Sequence, residues 1–226
     1  MRCAVLQLAR NCERYYKQDF PQLYNALQRA LGRQIEFYCV ENDSTDNTVA
    51  AAQCYGHVLS LHRSPEPLAL TLRCTMRTTR MAELRNQALR WLKQFGSFDY
   101  IFWLDTNVYF TARTIQLLLQ TLQQDQTIGL AGANTLQAGT CHYYDTYALN
   151  TPTCPWRECT VCRGEHSMQD IIQVPSAFGG LCVTRPGYGT FAATHNRCEH
   201  VYMCTKLQEQ DLHIVIVGPA RATWVP

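Results

Sequence analysis

The stretch Phe98–Phe110, FDYIFWLDTNVYF, constrains the rest of the chain most. From Tyr100 to Leu104 every residue is apolar or aromatic. A run this short, without polar alternation, reads as a strand buried on both faces, the kind found in parallel sheets covered by helices. It ends at Asp105-Thr106-Asn107. In open α/β sheets ligands bind beyond the carboxyl ends of the strands. Asp105 and Asn107 offer two hard oxygen donors one residue apart there. Such donors suit Mg²⁺ or Mn²⁺, with the other positions left to water and substrate phosphates. An ordinary Asx turn would use the same three residues, so the neighbouring segments have to decide between the two.

Those neighbours alternate. Cys3–Leu8 reads as a strand, Phe20–Leu31 as a helix with Pro21 in its first turn and Gly32 past its end, and Ile35–Val40 as a second strand. Eight polar residues follow, Glu41–Thr48, of which Ser44 or Thr45 is placed to cap an Ala-rich helix. Val58–Leu61 gives a third strand. Met81–Phe95 is the clearest helix, with Met81, Leu84, Ala88, Leu92 and Phe95 on one face, and Ala112–Gln124 is another. This order implies an α/β fold, a mostly parallel sheet with helices on both faces, in one Rossmann-like nucleotide-binding domain. Three polar strand ends then converge on one rim: Ala9-Arg10-Asn11, Glu41–Thr48 and Asp105.

The second half is less regular. Strands are expected at Ile128–Ala133, within Ser176–Thr184 and at His213–Val217, and a helix near Cys198–Gln208. The aromatic run His142–Asp145 lies between them, and Gly179-Gly180 marks a place where another backbone or a ligand comes close. No repeat, low-complexity tract or composition shift divides the chain.

Hydrophobic residues make up 46% and charged residues 17%, enough for a substantial core. A net charge of +2 without a basic run disfavours nucleic acid as a partner. No apolar stretch reaches membrane-span length, and the first residues enter a strand without a signal-peptide pattern. Of the twelve cysteines, Cys3, Cys39 and Cys182 sit in apolar strands. We read the set as reduced thiols in a cytoplasmic setting. Cys154, Cys159, Cys162 and His166 approach the spacing of a structural Zn²⁺ site, but only one CxxC is present. The preferred reading is a loop of free thiols, with Trp156 as a ring-stacking residue or a lid anchor.

Four segments taken together, ARNCE (9–13), ENDSTDNT (41–48), RTTRMAELRN (77–86) and FDYIFWLDTNVYF (98–110), resemble glycosyltransferases of the type-A fold. The nearest family is that of the fungal capsule-associated α-1,3-mannosyltransferases, with related enzymes of large DNA viruses. YYDT (143–146), the Gly-Gly strand and CEH (198–200) resemble its later landmarks. The resemblance implies one domain over residues 1–226, with a nucleotide-sugar half (1–125) and an acceptor half (126–226). It implies a nucleoside-diphosphate sugar donor, UDP- or GDP-linked, and a glycan or glycoprotein acceptor. Transfer would be metal-assisted and would retain the anomeric configuration.

Donor contacts are expected from Ala9, Arg10, Asn11, Glu41, Asp43, Arg77, Arg80, Asn86, Leu104, Asp105, Thr106 and Asn107. Arg77 and Arg80 would face the diphosphate. Asp105 and Asn107 correspond to the family's metal motif with an amide in place of the second carboxylate, and His200 is the candidate third ligand. Glu199 is the candidate catalytic carboxylate and Asp145 the second candidate. Each has a plainer reading: a helix cap for Glu199, a turn residue for Asp145, a hydrogen-bonded core histidine for His200. Arg85 and Glu83 would on the plain reading decorate a solvent face. Phe178, Gly179 and Gly180 join Trp156 on the acceptor side. Two other readings keep the sheet: a nucleotidyltransferase or sugar-nucleotide pyrophosphorylase, and a nucleotide-sugar-binding module with a dead site. The first lacks its Gly-rich loop after strand one, where this chain has ARNCERYY.

Overall fold

The computed structural model describes residues 1–32, 35–61, 75–140, 142–145, 147–149, 171–187, 189–193 and 198–226. Chain order is β1 (Cys3–Ala9), α1 (Glu13–Gln18), α2 (Phe20–Leu31), β2 (Ile35–Asn42), α3 (Thr48–Gln53), β3 (His57–Leu61), α4 (Thr75–Leu92), a 3₁₀ turn Lys93–Phe95 and β4 (Tyr100–Leu104). Then come β5 (Val108–Phe110), α5 (Ala112–Gln124), β6 (Ile128–Gln137), β7 (Ile171–Gln173), β8 (Leu181–Thr184), α6 (Glu199–Gln208) and β9 (His213–Trp224).

The strands form one sheet ordered β3-β2-β1-β4-β8-β6-β9-β5, with β7 added on β9. β3, β2, β1 and β4 are all parallel, so their carboxyl ends share one rim. β8 enters antiparallel between β4 and β6, β6 and β9 are parallel, and β5 and β7 pair antiparallel with β9. The parallel sheet of the expectation is thus the first half, and the second half is mixed.

Alternation along each strand feeds two cores. Cys3, Val5, Phe37, Cys39, Phe102 and Leu104 face α1, α2, α3 and α5, where Tyr16, Phe20, Leu27, Ala52 and Leu118 are buried. Ala4, Leu6, Tyr38, Val40, Ile101 and Trp103 face the other way, against Ala82, Ala88 and Leu92 of α4 and Val201, Met203 and Leu207 of α6. A strand sandwiched this way has no solvent face, which is why β4 carries no polar side chain.

The helix spans α2 and α5 coincide with the expected ones, and α5 is opened by a Thr111–Thr114 capping box. α4 starts at Thr75 rather than Met81, so Arg77 and Arg80 lie within it. α3 is entered through Asn47 without a side-chain cap, so neither Ser44 nor Thr45 caps it. Their groups are engaged elsewhere, as described below. α1 and β7 are additional elements. The seven described cysteines are free thiols. No helix among the described residues is long and apolar enough to cross a membrane. Cys154, Trp156, Cys159, Cys162 and His166 lie outside the described residues.

Candidate active site

The loops after β1 and β2 are fastened to each other. Asn11, in the left-handed region at φ 52°, accepts from Thr45 N through Oδ1 at 2.8 Å, and its own N–H donates to Ser44 Oγ at 3.0 Å. Cys12 N donates to Thr48 Oγ1 at 2.7 Å and Glu13 N to Asp46 Oδ2 at 3.0 Å. Glu41 is buried and accepts from Ser44 N and Ser60 Oγ, both at 2.6 Å. So most of ENDSTDNT builds the loop. Asp43, at φ 53°, is ion-paired with Arg80 across the mouth of the same loop. Arg10 is half-buried, and its Nε has no hydrogen-bond partner among the described residues.

Several expected donor contacts have other employment. Arg80 is turned to Asp43 instead of joining Arg77 at the cavity described next. Both ends of the Asn86 amide are used on the backbone of Phe191: Nδ2 donates to its carbonyl at 2.7 Å and Oδ1 accepts from its N–H at 2.8 Å. Asn86 is therefore a clamp for the segment leading to α6. Ala9 and Leu104 are core residues. Thr106 is half-buried, and the nearby Cys12 thiol donates to Arg10 O at 3.2 Å.

At the carboxyl end of β4 lies a cavity of about 210 Å³ lined by Arg77, Met81, Arg85, Asp105, Tyr144, Asp145, Tyr147, Phe178, Cys198, Glu199 and His200. Four separated segments build it. β4 ends in Asp105, whose N–H donates to Gly180 O at 2.7 Å. The 142–145 segment is laid on β6, with Tyr144 N donating to Thr135 O at 2.9 Å, and this places Asp145. Asp145 Oδ1 then accepts from Ala148 N at 3.1 Å, so the turn reading of this residue holds as well. α6 presents Cys198, Glu199 and His200 from its first turn, and α4 supplies Arg77 and Arg85.

Gly179 and Gly180 both take φ 68°. A Cβ on Gly179 would lie 2.8 Å from Ala133 O, and one on Gly180 2.7 Å from Val108 Cγ2 and 3.7 Å from Asp105 Cβ. Their close neighbours are thus the protein's own strands, and they let β8 seat Asp105. Phe178 is buried and stacks on His200, centroids 3.8 Å apart, as the floor of the cavity. Asn107 is exposed, and it is not among the residues lining this cavity. Its carbonyl accepts from Val225 N at 2.9 Å.

Charge in the cavity is lopsided. Asp105, Asp145 and Glu199 face two guanidinium groups, Arg77 and Arg85. Burial, opposed by Arg85 and reinforced by Glu199, pushes the Asp105 carboxyl up to about 6. Burial and then the Asp105 charge push Asp145 up to about 7. Glu199 does not cap its helix; its Oε1 accepts from Arg85 Nε at 3.0 Å. Burial, and then Arg85, hold the His200 imidazole well below its usual pKa, so the ring is neutral. Both of its nitrogens lack a hydrogen-bond partner among the described residues, unlike the core histidine of the plain reading. Nε2 lies 3.6 Å from Glu199 Oε1, beyond hydrogen-bond length, and a neutral, buried imidazole without a hydrogen bond is of a kind suited to ligating a metal ion. Ligand atoms of Cys198, Glu199 and His200 lie within 4.8 Å of one another, though burial pushes the Cys198 thiol up and keeps it protonated. His200 and the Glu199 carboxylate therefore lie close enough together to share a divalent cation, and Asp105 and Asp145 line the same cavity.

Arg85 and Tyr144 were not among the expected site residues. For Arg85 a signal exists: Met81, Arg85, Ala88 and Leu92 follow the 4-3-4 spacing of one helix face, which puts Arg85 inward.

No curated protein matches the chain. Among solved structures it is similar to the mannosyltransferase PcManGT of Pyrobaculum calidifontis in complex with GDP-Man and Mn²⁺ (TM-score 0.63, 13% identity, 98% of this chain and 56% of that one). TarS of S. aureus in complex with UDP-GlcNAc (TM-score 0.61, 11% identity, 100% and 59%) and GalNAc-T7 with UDP, GalNAc and Mn²⁺ (TM-score 0.61, 10% identity, 100% and 44%) are also similar. The chain spans roughly half the length of these structures, and what it shares with them is the type-A glycosyltransferase fold. Residues 7–190 match the family model described as cryptococcal mannosyltransferase 1, a span covering most of the cavity and its loops, and the chain belongs to that family of glycosyltransferases.

Proposed function

We propose that this chain transfers a glycosyl group from a nucleoside-diphosphate sugar to a hydroxyl of a glycan or glycoconjugate, with a divalent cation at the β4 cavity. One observation carries the reading: three carboxylates, a neutral histidine without a hydrogen bond among the described residues and two arginines from separate segments converge beyond the end of β4. The nucleoside would lie over the fastened loops at Asp43 and Arg10. The diphosphate would lie toward Arg77, whose guanidinium is placed to take phosphate oxygens. Asp105 and His200 would hold Mn²⁺ or Mg²⁺; when bound, the ion neutralises charge building on the departing diphosphate. Solved structures with this fold hold Mn²⁺ beside a nucleotide or nucleotide sugar, which supports that assignment.

In the transfer, the bond between the anomeric carbon and the diphosphate oxygen breaks with its electron pair leaving on the diphosphate. A bond from the acceptor oxygen to the same carbon forms, and the acceptor proton passes to the departing diphosphate oxygen or to a cavity carboxylate. Glu199, fixed by Arg85, supplies negative charge beside the oxocarbenium-like carbon. Family membership supports retention, since α-linked product from α-linked donor requires it.

The test is slow donor hydrolysis without acceptor. A panel of UDP- and GDP-sugars with Mn²⁺ should give one or two substrates, each also raising Tm. Asp105→Ala should abolish metal-stimulated hydrolysis while leaving the fold intact by circular dichroism. Hydrolysis indifferent to EDTA would remove the metal from the reading, and absence of both hydrolysis and nucleotide binding would overturn it.

A further inference from the structure

Arg85 is 4% exposed, in the middle of α4, yet it carries a permanent charge. Its surroundings account for both facts. Nε donates to Glu199 Oε1 at 3.0 Å, and an Nη lies 3.5 Å from Asp105 Oδ1. Its guanidinium carbon is 4.9 Å from the ring centre of Phe178, 5.7 Å from Trp103 and 5.8 Å from Phe191. Two carboxylates satisfy the charge, and three aromatic faces fill the remaining space. The Asn86 clamp on Phe191, one residue further along α4, locks one of those faces.

The arrangement joins three elements through one side chain. Asp105 closes β4, Glu199 opens α6, and Arg85 spans the gap from α4. A planar fork can take one oxygen from each of two carboxylates, which a single ammonium on a flexible stem does poorly. The remaining oxygen of Glu199 is 3.5 Å from Cys198 Sγ. The carboxylate thus has a set rotation as well as a set position.

We propose that Arg85 is a positioning residue for glycosyl transfer: its guanidinium fixes the Glu199 carboxylate against the cavity and ties it to Asp105. This rests on the glycosyl-transfer reading above. It predicts that Arg85 acts through Glu199, so the two should behave as one unit in turnover.

The experiment is a kinetic double-mutant cycle on the full chain with Mn²⁺ and the donor that wild type hydrolyses. Glu199→Gln should lower kcat by roughly 10²-fold with KM little changed. Arg85→Met should lower kcat by a similar factor, and the double variant should fall no more than about threefold below the worse single. Arg85→Lys, which keeps charge but loses the fork, should retain wild-type Tm and still lose about tenfold in kcat. Should Arg85→Met fail to fold because two carboxylates lose their partner, the double variant, neutral at one of them, and Arg85→Lys carry the comparison. Losses that multiply to about 10⁴-fold, or a folded Arg85→Lys with wild-type kcat, would overturn the assignment while leaving glycosyl transfer standing. A wild-type protein that neither binds nor hydrolyses any nucleotide sugar would overturn both.

Discussion

Of the two cavity aspartates raised by burial, Asp145 is the one held protonated to the higher pH. Its carboxyl is pushed up to about 7, first by burial and then by Asp105. In an unfolded chain an aspartate titrates near ~3.9. Between those values the folded protein holds a proton that the unfolded one has released, so this residue's contribution to stability falls as pH rises from about 4 to 7 and is level above. Asp145→Asn removes the penalty. In metal-free buffer its Tm should exceed that of wild type at about pH 8, and the two should converge near pH 4. Thermal denaturation at both ends checks the sign; a variant less stable at the alkaline end refutes it. At this scale the residue types of the site were legible and their partners were not. Asn11, Glu41 and Asn86 read as ligand contacts because they are polar and lie at strand ends or beside arginines. Much of what they bond lies far along the chain, such as Thr45, the Ser60 hydroxyl and the Phe191 backbone, and no local pattern reports a partner at that separation. Arg85 is the converse, a charge that the helical stripe already placed inside.

Among the elements, those set by their own periodicity were readable: β1, β2, β4, α2 and α5 have the expected type and nearly the expected limits. Those defined by a partner were not. β9 runs on through Gly218 and Pro219 to Trp224 because it re-registers on β6 after a shift at Ala133/Asn134 and then meets β5. α4 begins early because its first turns carry arginines that face ligand-side carboxylates instead of core, which hides them from an apolar pattern. The Gly179-Gly180 pair shows the same dependence. Sequence gives the need for a close approach; only pairing shows that β8 must turn tightly to offer its carbonyl to Asp105 N. Gly180→Ala would force a side chain into φ 68° and into Val108. Left-handed strain of this kind costs about 1–3 kcal/mol, and relief would shift Asp105. We expect a Tm lower by several degrees and a loss of metal-stimulated hydrolysis larger than the loss of nucleotide affinity. Equal loss of both would mean the glycine serves the fold alone.

The molecule as a whole is two half-sheets joined at the β4–β8 pairing, and the cavity lies across that joint. Asp105, Arg77 and Arg85 come from the first half, and Asp145, Glu199 and His200 from the second. The cavity sets three carboxyl groups against two guanidinium groups, an acidic excess once Asp145 ionises. On the proposed reading a divalent cation would correct the balance, and a nucleoside diphosphate would then add contacts to the fastened loops at Asp43 and Arg10. Ligands that bind only the folded chain stabilise it by mass action, about 2.7 kcal/mol at a hundredfold excess over Kd. For a chain of this size that is a Tm rise of roughly 5–10 °C. The joint position makes a stronger claim: the two ligands should act cooperatively. Mn²⁺ alone and nucleoside diphosphate in EDTA should each raise Tm by a few degrees, and together by more than the sum, because each leaves a charge that the other neutralises. A thermal-shift matrix of metal against nucleotide measures this directly. Strictly additive shifts would place the metal and the diphosphate in separate sites, and His200→Ala should abolish the excess if the ion bridges from α6 to β4.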